Sequence, residues 1–132
     1  MLMRKTLITF LLLTSKLLFA PAHEQLTIPA GIKIEPYEAL IEAVVMVESG
    51  GDVMAYNRKE QACGAFQVRP IRLRDYNLST GSHYKLTDMY DYETAKKVFL
   101  YYCQGDYETV SRNWNGSGPK TDDYWDKIKA IL

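Results

Sequence analysis

An apolar run over residues 39–47 stops at Glu48-Ser49-Gly50-Gly51. Within it Leu40, Ile41, Val44 and Val47 recur at helical spacing, while Glu42 falls off that stripe. Pro36 suits a first helical turn, and Glu35 and Glu38 suit its positive end. Gly50-Gly51 provides a C-terminal stop. The pattern predicts a helix over 36–48 with one face turned to a core and a carboxylate in its last turn. Apolar neighbours and the negative end of the helix both disfavour the charged form of Glu48 and push its pKa upward. A carboxylic acid that keeps its proton near neutrality is suited to general acid catalysis.

The chain has 132 residues, with 16 Lys and Arg against 16 Asp and Glu. Its start has the three parts of a signal peptide: basic Arg4 and Lys5, an apolar stretch over 7–20 interrupted by Lys16, and Ala20-Pro21-Ala22. The stretch is too short, and too broken by that charge, for a membrane anchor. The expected organisation is a signal peptide over 1–22, a leader over 23–35 carrying Pro29 and Gly31, and one domain over 36–132. Cleavage after Ala22 removes three bases and no acid, leaving 13 bases against 16 acids, net −3. That balance does not point to nucleic acid as a partner. The expected location is exported, periplasmic or extracellular. Cys63 and Cys103 are read either as a disulfide or as two small buried hydrophobes.

Further along, 52–63 is polar and reads as a surface loop, and 64–68 is a short apolar element ended by Pro70. A short helix is expected over 71–76 and a loop over 77–85 with Gly81. Ala95, Val98, Phe99 and Tyr102 mark one face of a helix over 92–103. Asp106 is placed to cap the next helix, which reaches about residue 113. After the loop Gly116-Ser117-Gly118-Pro119, Thr121-Asp122-Asp123 opens a last helix bearing Trp125, Ile128 and Leu132. Strand signal is sparse, so the expected fold class is a small, mostly α domain.

Three segments stand in order: Val47-Glu48-Ser49-Gly50-Gly51, then Gly64-Ala65-Phe66-Gln67-Val68-Arg69-Pro70, then Arg112-Asn113-Trp114-Asn115-Gly116 followed by Tyr124. Together they resemble the soluble lytic transglycosylase family of the lysozyme-like superfamily, over residues 36–132. The chain departs from that family's pattern with Ala65-Phe66 where Leu-Met is usual, Trp114 where tyrosine is usual, and Gly116-Ser117-Gly118 in place of Ala-Gly. The resemblance implies a lysozyme-like helical fold with a catalytic cleft. It implies cleavage of the β-1,4 bond between N-acetylmuramic acid and N-acetylglucosamine in peptidoglycan, with Glu48 as the single acid and base and 1,6-anhydro ends as product. It implies no cofactor, and no His/Cys cluster has the spacing of a metal site. The expected partners are peptidoglycan glycan strands and, by analogy, an envelope-spanning secretion or conjugation assembly, with the chain a monomer and not permanently anchored in a membrane.

Each site residue also has a plainer reading. Ser49 either turns the chain or orients Glu48. Gln67 is a core amide or a ligand for substrate amides and hydroxyls. Asn115 is a turn residue before Gly116 or part of the cleft. Trp114, Tyr124 and Phe66 are core aromatics or substrate contacts, and an indole at 114 offers a flat face to a sugar. Asp52, four residues after Glu48, is the candidate second carboxylate of a hydrolytic muramidase. The rival of another class is a non-catalytic glycan-binding or assembly protein. A thiol site built from Cys63 and His83 lacks an activating signature.

Overall fold

The computed structural model describes residues 36–132 and is mostly helical, with one two-stranded sheet. The expected signal peptide and leader lie outside the described residues. Among the described residues five α-helices run in order: α1 (Glu38–Ser49), α2 (Pro70–Thr80), α3 (Tyr92–Tyr101), α4 (Tyr107–Asn115) and α5 (Lys120–Lys129). Between α1 and α2 lies an antiparallel hairpin of β1 (Tyr56–Asn57) and β2 (Ala62–Cys63). Among the described residues no helix is long and apolar enough to cross a membrane.

The helix boundaries follow from local chemistry. Gly50 takes the left-handed conformation, φ 63°, and its N–H returns to Met46, so α1 ends one turn beyond Met46 and carries Glu48 in its last turn. Asp91 and Asp106 each accept an N–H three residues on and open α3 and α4. Pro70 sits in the first turn of α2, where its missing N–H costs nothing.

Three stretches differ from the reading of the sequence. The loop expected over 52–63 contains the hairpin, whose turn is held by the Asn57 side chain accepting from the N–H groups of Lys59 and Glu60. Helix α2 continues to Thr80, past the expected residue 76. Its extra turn holds Asn77, Ser79, Thr80 and an exposed Leu78, so no buried apolar stripe marks a helix there, while Asn77 and Thr80 donate to the Tyr84 and Tyr76 carbonyls. A single 3-10 turn over Leu86–Tyr90, a stretch to which the sequence reading assigns no element, buries Met89.

The core joins the buried face of α1 to Phe66 and Val68, to Val98 and Phe99 of α3, to Val110 and Trp114 of α4, and to Ile128 of α5. Phe66 stacks on Phe99 at 5.2 Å between ring centroids, and Phe99 meets Trp114 edge-on at 5.0 Å. Burying a side chain such as Phe66 contributes about 1.5–3 kcal/mol. Both cysteines are free thiols, not a disulfide. Burial pushes the Cys103 thiol up to about 12, which makes it inert at neutral pH.

Candidate functional site

Glu48 is held by two neighbouring elements. Ser49 donates its hydroxyl to the Ala65 carbonyl at 2.8 Å and shares it with the Val45 carbonyl at 3.1 Å. That bond fastens the end of α1 to the 64–68 loop. From the other side, the buried Tyr124 hydroxyl of α5 donates to Glu48 Oε1 at 2.8 Å. No protein group among the described residues donates to Oε2.

The loop opposite is a tight reversal. Cys63 and Val68 exchange both backbone hydrogen bonds, and Gln67 N–H returns to the Gly64 carbonyl. Gly64 has φ +80°, and a Cβ there would stand 2.0 Å from the Met89 carbonyl oxygen, so only glycine fits. Gln67 itself adopts φ 50°, a conformation that costs a non-glycine residue about 1–3 kcal/mol. Its side-chain amide offsets this by donating to the Ala55 and Gly64 carbonyls. Those bonds leave its Oε1, an acceptor, without a protein partner among the described residues.

Glu48, Glu60, Gln67, Arg69, Trp114 and Asn115 enclose a polar recess of about 40 Å³. Glu60, Arg69 and Asn115 also line an adjoining open groove of about 580 Å³. Arg69 donates from Nη2 to the Trp114 and Asn115 carbonyls at 2.7 and 2.8 Å, so it ties the start of α2 to the end of α4 across the recess. Burial dominates the state of Glu48 and pushes its carboxyl up to about 7 from an ordinary 4.5. The Tyr124 hydrogen bond and the Arg69 charge oppose that rise, and Glu60 adds to it. Burial and the Glu48 carboxylate together keep the Tyr124 phenol protonated.

The structure therefore gathers Glu48, Gln67, Trp114 and Asn115 at one recess, and gives several expected site residues structural work. Tyr124, expected to contact substrate, hydrogen-bonds the acid and also lines the adjoining groove. Ser49 positions the end of the helix and does not touch the carboxylate. Phe66 is wholly buried and does not line the recess. Trp114 is 4% exposed, donates its indole N–H to the Phe66 carbonyl and is packed against Phe99, Tyr102 and Arg72. Its ring has no free face for a sugar. Asp52 is exposed, accepts from the Met54 N–H and lies outside the recess lining.

Arg69 and Glu60 are site residues that the sequence reading passed over. Arg69 lies within the quoted motif directly before Pro70, and its reach to the Trp114 and Asn115 carbonyls has no sequence signal. Glu60 is brought in by the hairpin turn, which left no apolar alternation to read. Among the described residues, no group of three or more His, Cys, Asp or Glu is placed to hold a metal ion. Comparison of the chain with protein-family models, with curated proteins and with solved structures found no match in any of the three.

Proposed function

We propose that this protein is a peptidoglycan lytic transglycosylase with a lysozyme-like fold, in which Glu48 is the only acid and base. One observation carries the reading: a half-buried carboxyl, its pKa raised to about 7, opens onto a recess walled by Gln67 and Asn115. A free-standing surface acid would stay ionised at that pH.

The recess is small. At about 40 Å³ it takes a glycosidic oxygen and its near substituents, while the sugar rings lie in the adjoining groove. Tyr124 occupies Oε1, so Oε2 carries the proton. Glu48 gives that proton to the glycosidic oxygen, the anomeric C–O bond breaks, and its electron pair leaves with the departing sugar. The N-acetyl oxygen of the retained sugar stabilises the cationic carbon, a substrate-assisted route that needs no second carboxylate. Glu48, now ionised, takes a proton from the C6 hydroxyl as that oxygen bonds to the anomeric carbon. The product is a 1,6-anhydro end, and Glu48 is protonated again. Gln67 Oε1 is placed to accept from a substrate amide or hydroxyl. Asp52 is already committed to the Met54 N–H, which weighs against a two-carboxylate hydrolase. The expected signal peptide would deliver the domain to the wall it cuts.

Purified sacculi incubated with wild type and with Glu48→Gln test the reading by mass spectrometry. Wild type should release fragments with anhydro ends, one water lighter than hydrolysed ends, and Glu48→Gln should release none. Hydrolysed ends would make the protein a muramidase. Equal biological activity of the two proteins without any fragments would make it a glycan-binding protein.

A further inference from the structure

We infer that Arg69, Lys120 and Lys127 form a carboxylate-binding wall beside Glu48, so that acidic substituents on the glycan, and not the sugar rings alone, place the scissile bond. This rests on the reading of Glu48 as the acid that cuts a glycan.

The wall belongs to the groove of about 580 Å³ that adjoins the recess. Arg69 is fixed there by its two bonds to the Trp114 and Asn115 carbonyls, both made from Nη2. Its Nε and Nη1 protons have no protein partner among the described residues. A guanidinium held in place with donors to spare matches the two oxygens of a carboxylate. Its charge acts on both Glu48 and Tyr124, which sets it close to the acid.

Helix α5 supplies the rest. Lys120, Tyr124 and Lys127 are spaced by four and three residues, so they share one face. Tyr124 on that face reaches Glu48, and the two lysines flank it along the groove. Neighbouring cations are engaged elsewhere: Arg112 with Glu108 and Asp122, and Lys129 with Asp126. Lys120 and Lys127 make no ion pair among the described residues. Glu60 and Asp123 share the lining, so the wall has three cations against two acids. Protonated Glu48 adds no charge. A strand of N-acetylglucosamine alone offers these cations neutral acceptors but no opposite charge. A lactyl ether on the sugar, or the peptide stem it carries, offers a carboxylate.

The test compares the full-length wild type with the double variant Lys120→Gln/Lys127→Gln on three substrates. These are glycan strands bearing peptide stems, strands stripped of stems that keep the lactyl carboxylate, and neutral N-acetylglucosamine oligomers. The wild type should show a KM about tenfold lower for stem-bearing strands than for neutral oligomers, and the double variant should lose most of that advantage with kcat little changed. Added salt should erode the same advantage in the wild type. The stem is joined through the lactyl carboxyl as an amide, so stem-bearing strands offer only the stem's own carboxylates. Stripped strands that behave like them show that the wall accepts a carboxylate at either place, and stripped strands that behave like neutral oligomers assign it to the stem. An unchanged KM ratio in the double variant overturns the inference and leaves the Glu48 reading standing. If the wild type cuts none of the three, that reading falls, and NMR titration with a soluble stem-bearing muropeptide decides the wall alone. Shifts at Lys120 and Lys127 retain it, and their absence ends it.

Discussion

The Tyr124 hydroxyl lies 2.8 Å from Glu48 Oε1 and donates to it across 76 residues of chain. The bond joins the last helix to the first and holds one carboxyl oxygen still. It also favours the ionised acid, against the burial that favours the protonated one. The balance of those two effects leaves Glu48 near neutrality, where an acid can both give and take a proton.

Tyr124→Phe removes the donor and keeps the ring. Glu48 then loses a contact that stabilises its charge, so its pKa rises further. The alkaline limb of kcat/KM on glycan strands should move to higher pH. The lost hydrogen bond should lower stability by about 1–2 kcal/mol. A limb that stays in place would separate the phenol from the acid's titration.

Glu60→Gln acts in the opposite direction. The Glu60 charge raises the Glu48 pKa, so its removal should move the same limb to lower pH. Glu60 is exposed, and stability should change by less than about 0.5 kcal/mol. The pH–rate profiles of the two variants, run side by side, should bracket that of the wild type.

Glu48→Gln should also change how stability depends on pH. The folded-state pKa lies above the unfolded one, so between about 4.5 and about 7 the folded chain binds more protons and its stability falls as pH rises. The neutral amide escapes that loss. Urea midpoints should therefore show the variant gaining on the wild type from pH 4.5 to pH 8, by up to about 3 kcal/mol. A constant difference across that range would mean the carboxyl is not strained by burial.

Gly64→Ala should cost about 3 kcal/mol or more, because the new methyl meets the Met89 carbonyl and the backbone is left-handed. Gly118→Ala is the control: its φ is +85° but nothing lies within 4 Å of the added carbon, so the cost should be about 1 kcal/mol. Equal urea midpoints would show that the 64–68 loop is free to move away from the 3-10 turn.

The helices and the acid were legible because their signals are local. Leu40, Ile41 and Val44 mark the buried face of α1, and Gly50 marks its end, so the position of Glu48 at a helix terminus could be read directly. The aromatic residues were not legible in the same way. Whether Trp114 presents a face to a ligand or closes on Tyr102 and Phe99 depends on residues distant in sequence, and an indole suits both settings. Arg69 was hidden for another reason. Its role lies in reaching the carbonyls of Trp114 and Asn115, and backbone acceptors leave no trace in sequence. The extra turn of α2 carries Asn77, Ser79 and Thr80, a composition shared by loops and by solvent-facing helix ends.

The central claim is that Glu48 is about half protonated at neutral pH, where an ordinary carboxylate is ionised. A ¹³C NMR titration of its side-chain carboxyl carbon, assigned by difference from Glu48→Gln, tests this directly. The structure predicts a midpoint at about 7. A midpoint at the ordinary carboxylate value of about 4.5 would leave no proton to give and would contradict the account.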